Sequence, residues 1–203
     1  MNLLNEEVKK WIGREVSYEA SEEIGRASIR YFTEALKDDN RLYRDEDYAR
    51  SAGYPGIIAP PTFVCETSQF TNRRPNSHGY AGHEWDLPIV DCRTVRVRNE
   101  YEFYRAALST DKIRVTWRLD SLQEKSYSKG GTQLFVVSSA RYFSWERELL
   151  ALNIETLREN PTSKKNFLMV LARTRARVSA RSRKFEKYES STFTGKNIKF
   201  EQN

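Results

Sequence analysis

The chain has 203 residues, of which 38% are hydrophobic and 31% charged, with only 9 Gly and 6 Pro. This length suits one good-sized domain, alone or with an arm, and excludes two large domains. The composition can build a core, which excludes a disordered or fibrous chain. No stretch approaches the ~18 consecutive apolar residues that cross a bilayer as a helix, so no membrane span is expected.

The N-terminus and the cysteines predict a compartment. Glu6 and Glu7 lie where a secretory signal would be basic and then apolar, so we expect no export signal and a cytoplasmic location. Cys65 and Cys92 lack metal-site spacing and are too few for a disulfide framework. Two reduced thiols are therefore expected.

The positive charge is concentrated near the C-terminus. Nine basic residues and one acidic residue lie between Lys164 and Lys187, a local charge of +8, which leaves the rest of the chain at −2 of the total +6. The sequence therefore predicts a functional body, residues 1–152, and a basic, partly helical arm, residues 153–203. Apolar residues spaced by four and seven predict an amphipathic helix from about 155 to 188.

The arm has three interpretations. Nucleic acid is disfavoured as a partner because the body is acidic and no nucleic-acid motif is present. The arm could instead hold the phosphates of a ligand or an acidic carrier protein. The interpretation we favour is that its apolar stripe packs on the body or on a partner, with the arginines solvated.

The N-terminal half predicts helices and turns. Residues 21–37 have apolar spacings of three and four, with Ser21 as N-cap. Asp45 can cap a short second helix that Gly53 closes. After two prolines, Thr62 to Phe70 is expected to form a buried helix, and residues 71–90 a loop.

From about residue 91 the hydrophobic period changes to two. Strands are expected at 91–98, 99–104, 113–120 and 132–143, the last two joined through a Gly130-Gly131 turn. Helices followed by an antiparallel meander indicate an α+β fold with a helix packed on a sheet.

Five strings of residues carry a resemblance. They are 29–40 (IRYFTEALKDDN), 43–49 (YRDEDYA), 53–63 (GYPGIIAPPTF), 99–105 (NEYEFYR) and 125–131 (KSYSKGG). Together they resemble, in order and spacing over roughly residues 8–150, the N-terminal domain of MaoC-like acyl dehydratases, the fatty-acid-synthase-type dehydratase domain.

This resemblance implies a single hot-dog fold, a curved antiparallel sheet wrapped around a central helix near 61–72. It also implies that two such folds pair, as a homodimer, a heterodimer or a larger oligomer. Substrates of the family are acyl thioesters of coenzyme A or acyl carrier protein. The implied reaction is reversible addition of water to a 2-enoyl thioester, with no cofactor and no metal.

The family's catalytic turn reads G-D-x-N-P-x-H, whose Asp and His face one water. Here the same register begins at Lys37 and ends at Tyr43, so Asp38 and Asn40 are kept and the histidine is absent. Asp38 and Tyr43 are thus the candidate catalytic pair, although a tyrosine with an ordinary pKa near ~10 is a poor base at pH 7. The alternative is that Asp38 or Asn40 only closes the turn.

The second candidate element is the loop from Gly56 to Thr62, which is expected to bind the substrate. The loop before the central helix could present backbone N–H groups to a thioester oxygen that becomes an enolate. With Asn40, its expected substrate-binding residues are Gly56, Ile58, Ala59, Pro60 and Thr62. The alternative is a proline-stiffened turn with no ligand.

The two histidines, His78 and His83, lie in the loop outside the catalytic register. With Glu84 they supply too few ligands for a metal, so packing or lining a substrate channel is the expected role.

The sequence therefore predicts one subunit of a MaoC-like hydratase or dehydratase that holds the acyl thioester while a partner hot-dog subunit supplies the Asp/His dyad. Three alternatives stay open: a self-sufficient homodimeric hydratase that uses Asp38 with Tyr43 or a loop histidine, a hot-dog thioesterase, and a non-enzymatic thioester-binding scaffold.

Overall fold

The computed structural model describes residues 2–66, 74, 82–128 and 131–162. The predicted helix of the basic arm lies outside these residues from 163 onward. Among the described residues, no helix has both the length and the apolar character to cross a membrane.

Four short helices lie in the N-terminal third: α1 (Glu6–Lys9), α2 (Arg26–Leu36), α3 (Glu46–Ser51) and α4 (Phe63–Glu66). A 3₁₀ turn, Arg41–Tyr43, lies between α2 and α3. The prediction for α3 is confirmed, because the Asp45 side chain accepts a hydrogen bond from the Tyr48 N–H and Gly53 has a φ of 92°. The rest of the helix expected up to Phe70 lies outside the described residues.

The expected N-cap of α2 is wrong. The helix begins at Arg26, after Gly25, rather than near Ser21. The N–H groups of Ile24 and Gly25 donate to the carbonyls of Asp111 and Ser109, so the chain before α2 runs alongside residues 109–113 and cannot coil.

The described residues form five strands, β1 (Glu15–Glu19), β2 (Cys92–Phe103), β3 (Arg114–Tyr127), β4 (Gly131–Phe143) and β5 (Leu149–Pro161). They form one sheet of order β1-β3-β4-β5-β2 in which every neighbouring pair is antiparallel. The α+β class and the hairpin between β3 and β4 are therefore confirmed. The two strands expected at 91–98 and 99–104 are one strand, with an irregularity between Arg96 and Arg98.

The C-terminal boundary of the body also requires correction. β5 continues past residue 152 to Pro161, so the sequence expected to begin the arm, including the start of the helix expected from about 155, is a central strand of the sheet. The compact unit accordingly ends at Pro161. The alternation of β5 was hidden because Asn153, Glu155 and Glu159, which are polar, occupy buried positions.

The main core lies between one face of the sheet, here called the inner face, and the segment that includes α2 and α4. Ile29 of α2 and Phe63 of α4 pack in one buried cluster with Val115, Trp117 and Tyr142 of β3 and β4. A second cluster joins Leu3 and Val8 near the N-terminus to β3 and β4 at the opposite end of the strands. Burying an apolar side chain of this size contributes about 1.5–3 kcal/mol, so these clusters fix the sheet against the helices.

Candidate functional site

The turn after α2 keeps the backbone shape that glycine usually provides. Lys37, at the glycine position of the family pattern, adopts a left-handed conformation with φ 57° and ψ 38°. The N–H of Lys37 donates to the Glu34 carbonyl and that of Asp38 to the Thr33 carbonyl, at 3.1 and 2.8 Å. The turn thus forms despite the missing glycine, at a cost of about 1–2 kcal/mol for the side chain at positive φ.

Asp38 and Asn40 stabilise the next step of the turn. The Asp38 Oδ1 accepts a hydrogen bond from the Asn40 N–H at 3.0 Å, and the Asn40 Oδ1 accepts one from the Leu42 N–H at 3.1 Å. These are the side-chain to backbone bonds by which Asp and Asn close turns. Both residues therefore have the turn-closing role that was the alternative to catalysis.

Tyr43 lies half-buried at the end of the 3₁₀ turn, close to Asp38, Asn40 and Tyr54. Burial and then the negative charge of Asp38 raise the pKa of its phenol above the ordinary value of 10.0, and a hydrogen bond with the Asn40 side chain opposes this only in part. Tyr43 is therefore protonated at neutral pH. Asp38 and Tyr43 lie together, but Tyr43 cannot act as the base that a histidine would supply.

The loop from Gly56 to Thr62 has fewer available donors than the sequence predicts. The N–H of Ile58 donates to the Leu42 carbonyl at 3.3 Å, and the N–H of Ala59 donates to the Ala107 carbonyl at 2.7 Å. The expectation of open N–H groups is therefore wrong for these two residues, because the loop pairs with Leu42 on one side and with residues 107–109 on the other.

Exposure separates the loop residues into two groups. Ile58, Ala59 and Pro60 are buried, whereas Gly56 is half-buried and Thr62 exposed. A ligand can reach the loop directly at Gly56 and Thr62. The hydrogen bond from the Ile58 N–H to the Leu42 carbonyl also brings this loop beside the turn that contains Asp38 and Asn40, here called the Asp38 turn. The two candidate elements therefore form one surface.

His83 belongs to an aromatic cluster in the core. Its ring is 5% exposed, stacks on Trp117 with centroids 4.7 Å apart, and meets Trp85 edge-on at 4.4 Å. Its Nδ1 lies 3.0 Å from the Tyr18 hydroxyl. The structure thus gives His83 the packing role, while His78 lies outside the described residues. No three His, Cys, Asp or Glu side chains in the described part of the chain could hold a metal ion.

An acidic pocket that the sequence did not predict lies where β2 begins and β5 ends. It measures about 300 Å³, and its walls include Trp85, Leu87 and Leu157. Glu159, buried at its base, accepts a hydrogen bond from the Thr94 hydroxyl at 2.9 Å. Neither Cys65 nor Cys92, both among the described residues, forms a disulfide bond. Cys92 also lines this pocket, where burial, followed by the charges of Glu159 and Asp91, raises the pKa of its thiol, so it is a poor nucleophile.

The buried carboxyl of Glu159 should make the stability of the protein depend on pH. Burial raises the pKa of its carboxyl above the ordinary 4.5, outweighing the opposing hydrogen bond from Thr94. Above that ordinary value the folded state holds the proton more tightly than the unfolded state, so the free energy of unfolding falls as pH rises through the raised pKa. Glu159→Gln, which mimics the neutral acid, should lose this decrease.

The melting temperature of the Glu159→Gln variant should be higher than that of the parent protein at pH 7.5. At pH 4 the two melting temperatures should be nearly equal. Glu102→Gln, an exposed residue on β2, is the control and should show no such convergence. A constant difference between Glu159→Gln and the parent across this range would contradict the assignment.

Two features could have been found from the sequence. Leu150, Leu152 and Ile154 alternate with smaller or polar residues, which is a strand pattern. Residues 144–148, between two such runs, have the length of a hairpin loop. This pattern would have predicted the strand but the wrong inward side, because the buried residues of β5 include Asn153 and Glu159 rather than Leu152 and Ile154.

A five-stranded antiparallel sheet packed against a helix that begins after a Pro-Pro loop defines the class of this protein. Solved structures share this architecture. The ChsH1-ChsH2 complex from Mycobacterium tuberculosis matches with a TM-score of 0.63 and 19% identity, over 78% of this chain and 92% of that one. The HadBC (3R-hydroxyacyl-ACP dehydratase) complex from Mycobacterium tuberculosis matches with a TM-score of 0.51 and 25% identity, over 71% and 96%.

The hot-dog fold predicted from the sequence is therefore confirmed. The family profile described as "FAS1-like, dehydratase domain region" matches residues 10–148, and the chain belongs to this family. A UPF0336 protein of Saccharopolyspora erythraea is 32% identical over 118 residues, which cover 58% of this chain and 72% of that protein. The chain thus carries a hot-dog dehydratase domain of the MaoC-like kind.

Proposed function

We propose that this chain is one subunit of an enoyl-thioester hydratase or 3-hydroxyacyl-thioester dehydratase, and that a second hot-dog subunit supplies the Asp/His dyad. The observation that carries the proposal is the state of the catalytic turn. The Asp38 carboxylate closes the turn and Tyr43, in the histidine position, is a phenol whose pKa is raised. Hydration needs groups that activate the water and move a proton, and this turn offers Asp38 without the histidine of the family's pair.

The fold supports a partner at its sheet edge. β2 is an edge strand of twelve residues, and most of its side chains are exposed. An edge of this length leaves backbone N–H and C=O groups that a strand of another chain can pair with. The two structural matches reported above are complexes of two named subunits, which agrees with pairing between unlike hot-dog chains.

The substrate-holding role rests on the surface formed by the Asp38 turn and the loop from Gly56 to Thr62. Asn40, Gly56 and Thr62 are its accessible members, and Ile58, Ala59 and Pro60 form the buried support behind them. We assign the acyl thioester of coenzyme A or of acyl carrier protein to this surface. The protein would act in the cytoplasm, with no cofactor.

A matched pair of variants at Gly56 tests this role. A Cβ at Gly56 would approach only the Glu46 Oε1, at 3.9 Å, which is ordinary van der Waals contact. Gly56→Ala should therefore fold and bind crotonyl-CoA within about twofold of the parent chain, because nothing is displaced. Gly56→Trp should fold equally well but weaken binding by about tenfold or more, because the indole would cover the loop.

Binding is measured by isothermal titration calorimetry on the full chain, with melting temperatures to verify folding. Equal affinity of the Ala and Trp variants would place the thioester elsewhere. Release of free coenzyme A from an acyl-CoA by the purified chain would favour the thioesterase alternative instead. Binding without turnover in any pairing with a dyad-bearing subunit would favour the scaffold alternative.

A further inference from the structure

One row of side chains on the inner face crosses three neighbouring strands. Trp117 of β3 is paired in register with Ala140 of β4, which is paired with Asn153 of β5. Neighbouring strands lie about 4.8 Å apart, so Trp117 and Asn153 are separated by about 10 Å at the backbone. The small side chain of Ala140 lies between them, and all three residues are buried.

The two outer members of this row carry polar atoms that the described part of the protein does not pair. Trp117 is 4% exposed and Asn153 is 3% exposed. The Trp117 Nε1 and the Asn153 Oδ1 are both buried, and neither has a hydrogen-bonding partner among the described residues. Buried polar groups in folded proteins are almost always paired, so each unpaired group needs a physical explanation.

Two of the surrounding polar groups are already engaged. The Ser138 hydroxyl, next to Ala140 on the same face of β4, accepts a hydrogen bond from the Trp85 Nε1 at 2.9 Å. Glu155, next to Asn153 on β5, forms an ion pair with the Arg96 Nε at 2.6 Å. Asn99 of β2, in register with Glu155, carries a further buried atom without a partner among the described residues, its Oδ1, one row away from Trp117 and Asn153.

The chemistry of the two unpaired atoms defines a complementary group. The indole Nε1 only donates a hydrogen bond and the amide Oδ1 only accepts one, whereas a hydroxyl group can both accept and donate. A carboxylate would fit poorly because it cannot donate to Asn153 and because Glu155 lies beside it. A neutral hydroxyl is the group that satisfies both atoms.

The row is continuous with the proposed thioester surface. Trp117 and Ala140 belong to the same buried cluster as Ala59 and Phe63, which support the loop from Gly56 to Thr62. A hydroxyl group held by the row would therefore lie beside the cluster that supports this loop. We propose that Trp117 and Asn153 form a recognition position for a hydroxyl group on the acyl chain of the thioester, an inference that rests on the proposed function.

Acyl-CoA ligands that differ by one hydroxyl test this inference. Affinities of the full chain are measured by calorimetry for hexanoyl-CoA and its monohydroxylated isomers with the hydroxyl beyond the third carbon. We expect one isomer to bind about tenfold more tightly than hexanoyl-CoA, because leaving two buried groups unpaired disfavours the plain chain. Asn153→Leu should abolish this preference, so that hexanoyl-CoA and the favoured isomer bind alike.

Two further variants separate recognition from folding. Trp117→Phe keeps an aromatic ring but removes the donor, and should also reduce the preference. Thr156→Val, which alters the opposite face of β5, should keep the full preference. Equal affinities for hexanoyl-CoA and all isomers would overturn the inference and leave buried water as the partner of these atoms. Failure of every thioester to bind would overturn the proposed function itself.

Discussion

Asp38→Asn is expected to leave the turnover of the proposed two-subunit enzyme within about threefold of the parent complex. The Asp38 Oδ1 accepts the Asn40 N–H, and an asparagine Oδ1 can accept the same bond, so the turn is preserved. The same substitution of the dyad aspartate in the partner subunit should lower turnover by about 10²–10⁴-fold, because that carboxylate acts in proton transfer. Turnover is measured from the loss of enoyl-thioester absorbance.

Asp38→Ala provides the control for the turn itself. It removes the acceptor of the Asn40 N–H and should lower the melting temperature, whereas Asp38→Asn should not. A loss of 100-fold or more in the Asp38→Asn complex, with an unchanged melting temperature, would make Asp38 a catalytic residue. The self-sufficient homodimer would then be the better account.

Phe63→Ala is expected to produce the largest loss of stability. Phe63 is 3% exposed and meets Phe32 of α2 edge-on, with ring centroids 5.0 Å apart. Removing a buried aromatic side chain costs about 3–5 kcal/mol of unfolding free energy, since the cavity collapses only in part. Phe63 anchors the first turn of α4 directly after the loop from Gly56 to Thr62. Crotonyl-CoA binding should therefore weaken as well if that loop holds the thioester.

The unfolding free energy is measured by urea denaturation. Phe103→Ala, at a position that is 42% exposed on the edge strand, is the matched control and should cost much less. Phe63→Leu retains most of the volume and should restore much of the loss. A cost below about 1 kcal/mol for Phe63→Ala would show that α4 is not held by this contact.

Much of the fold follows from local chemistry in the sequence. The cap at Asp45, the left-handed Gly53 and the period-two run of β3 act through neighbouring residues, and the structure confirms each of them. The class of fold follows because most of the helices precede the long strands, although β1, which pairs with β3, lies before α2 and was not predicted.

The errors in the fold share a tertiary cause. Ser21 has the chemistry of an N-cap, but pairing of Ile24 and Gly25 with residues 109–111 keeps the chain extended there. β5 was missed because its buried positions include carboxyl and amide groups, which disguise the hydrophobic alternation. Neither the pairing before α2 nor the burial of the polar side of β5 can be seen in a local pattern.

The sequence predicted which residues form the candidate site better than it predicted how their backbone groups are paired. The missing histidine and the roles of Asp38 and Asn40 in the turn follow from residue identity. The pairing of Ile58 and Ala59 with Leu42 and Ala107 depends on segments distant in sequence, so the loss of these N–H donors could not be predicted. The same holds for the row that joins Trp117 to Asn153 across three strands.

The most direct measurement is the rate at which crotonyl-CoA loses its conjugated absorbance with the purified full chain, alone and after co-expression with a hot-dog protein that carries the Asp/His dyad. We predict no hydration above background by the chain alone. With the dyad-bearing protein we predict rapid hydration, and this activity should co-purify with both chains. Robust turnover by the chain alone would contradict the assignment of the dyad to a partner.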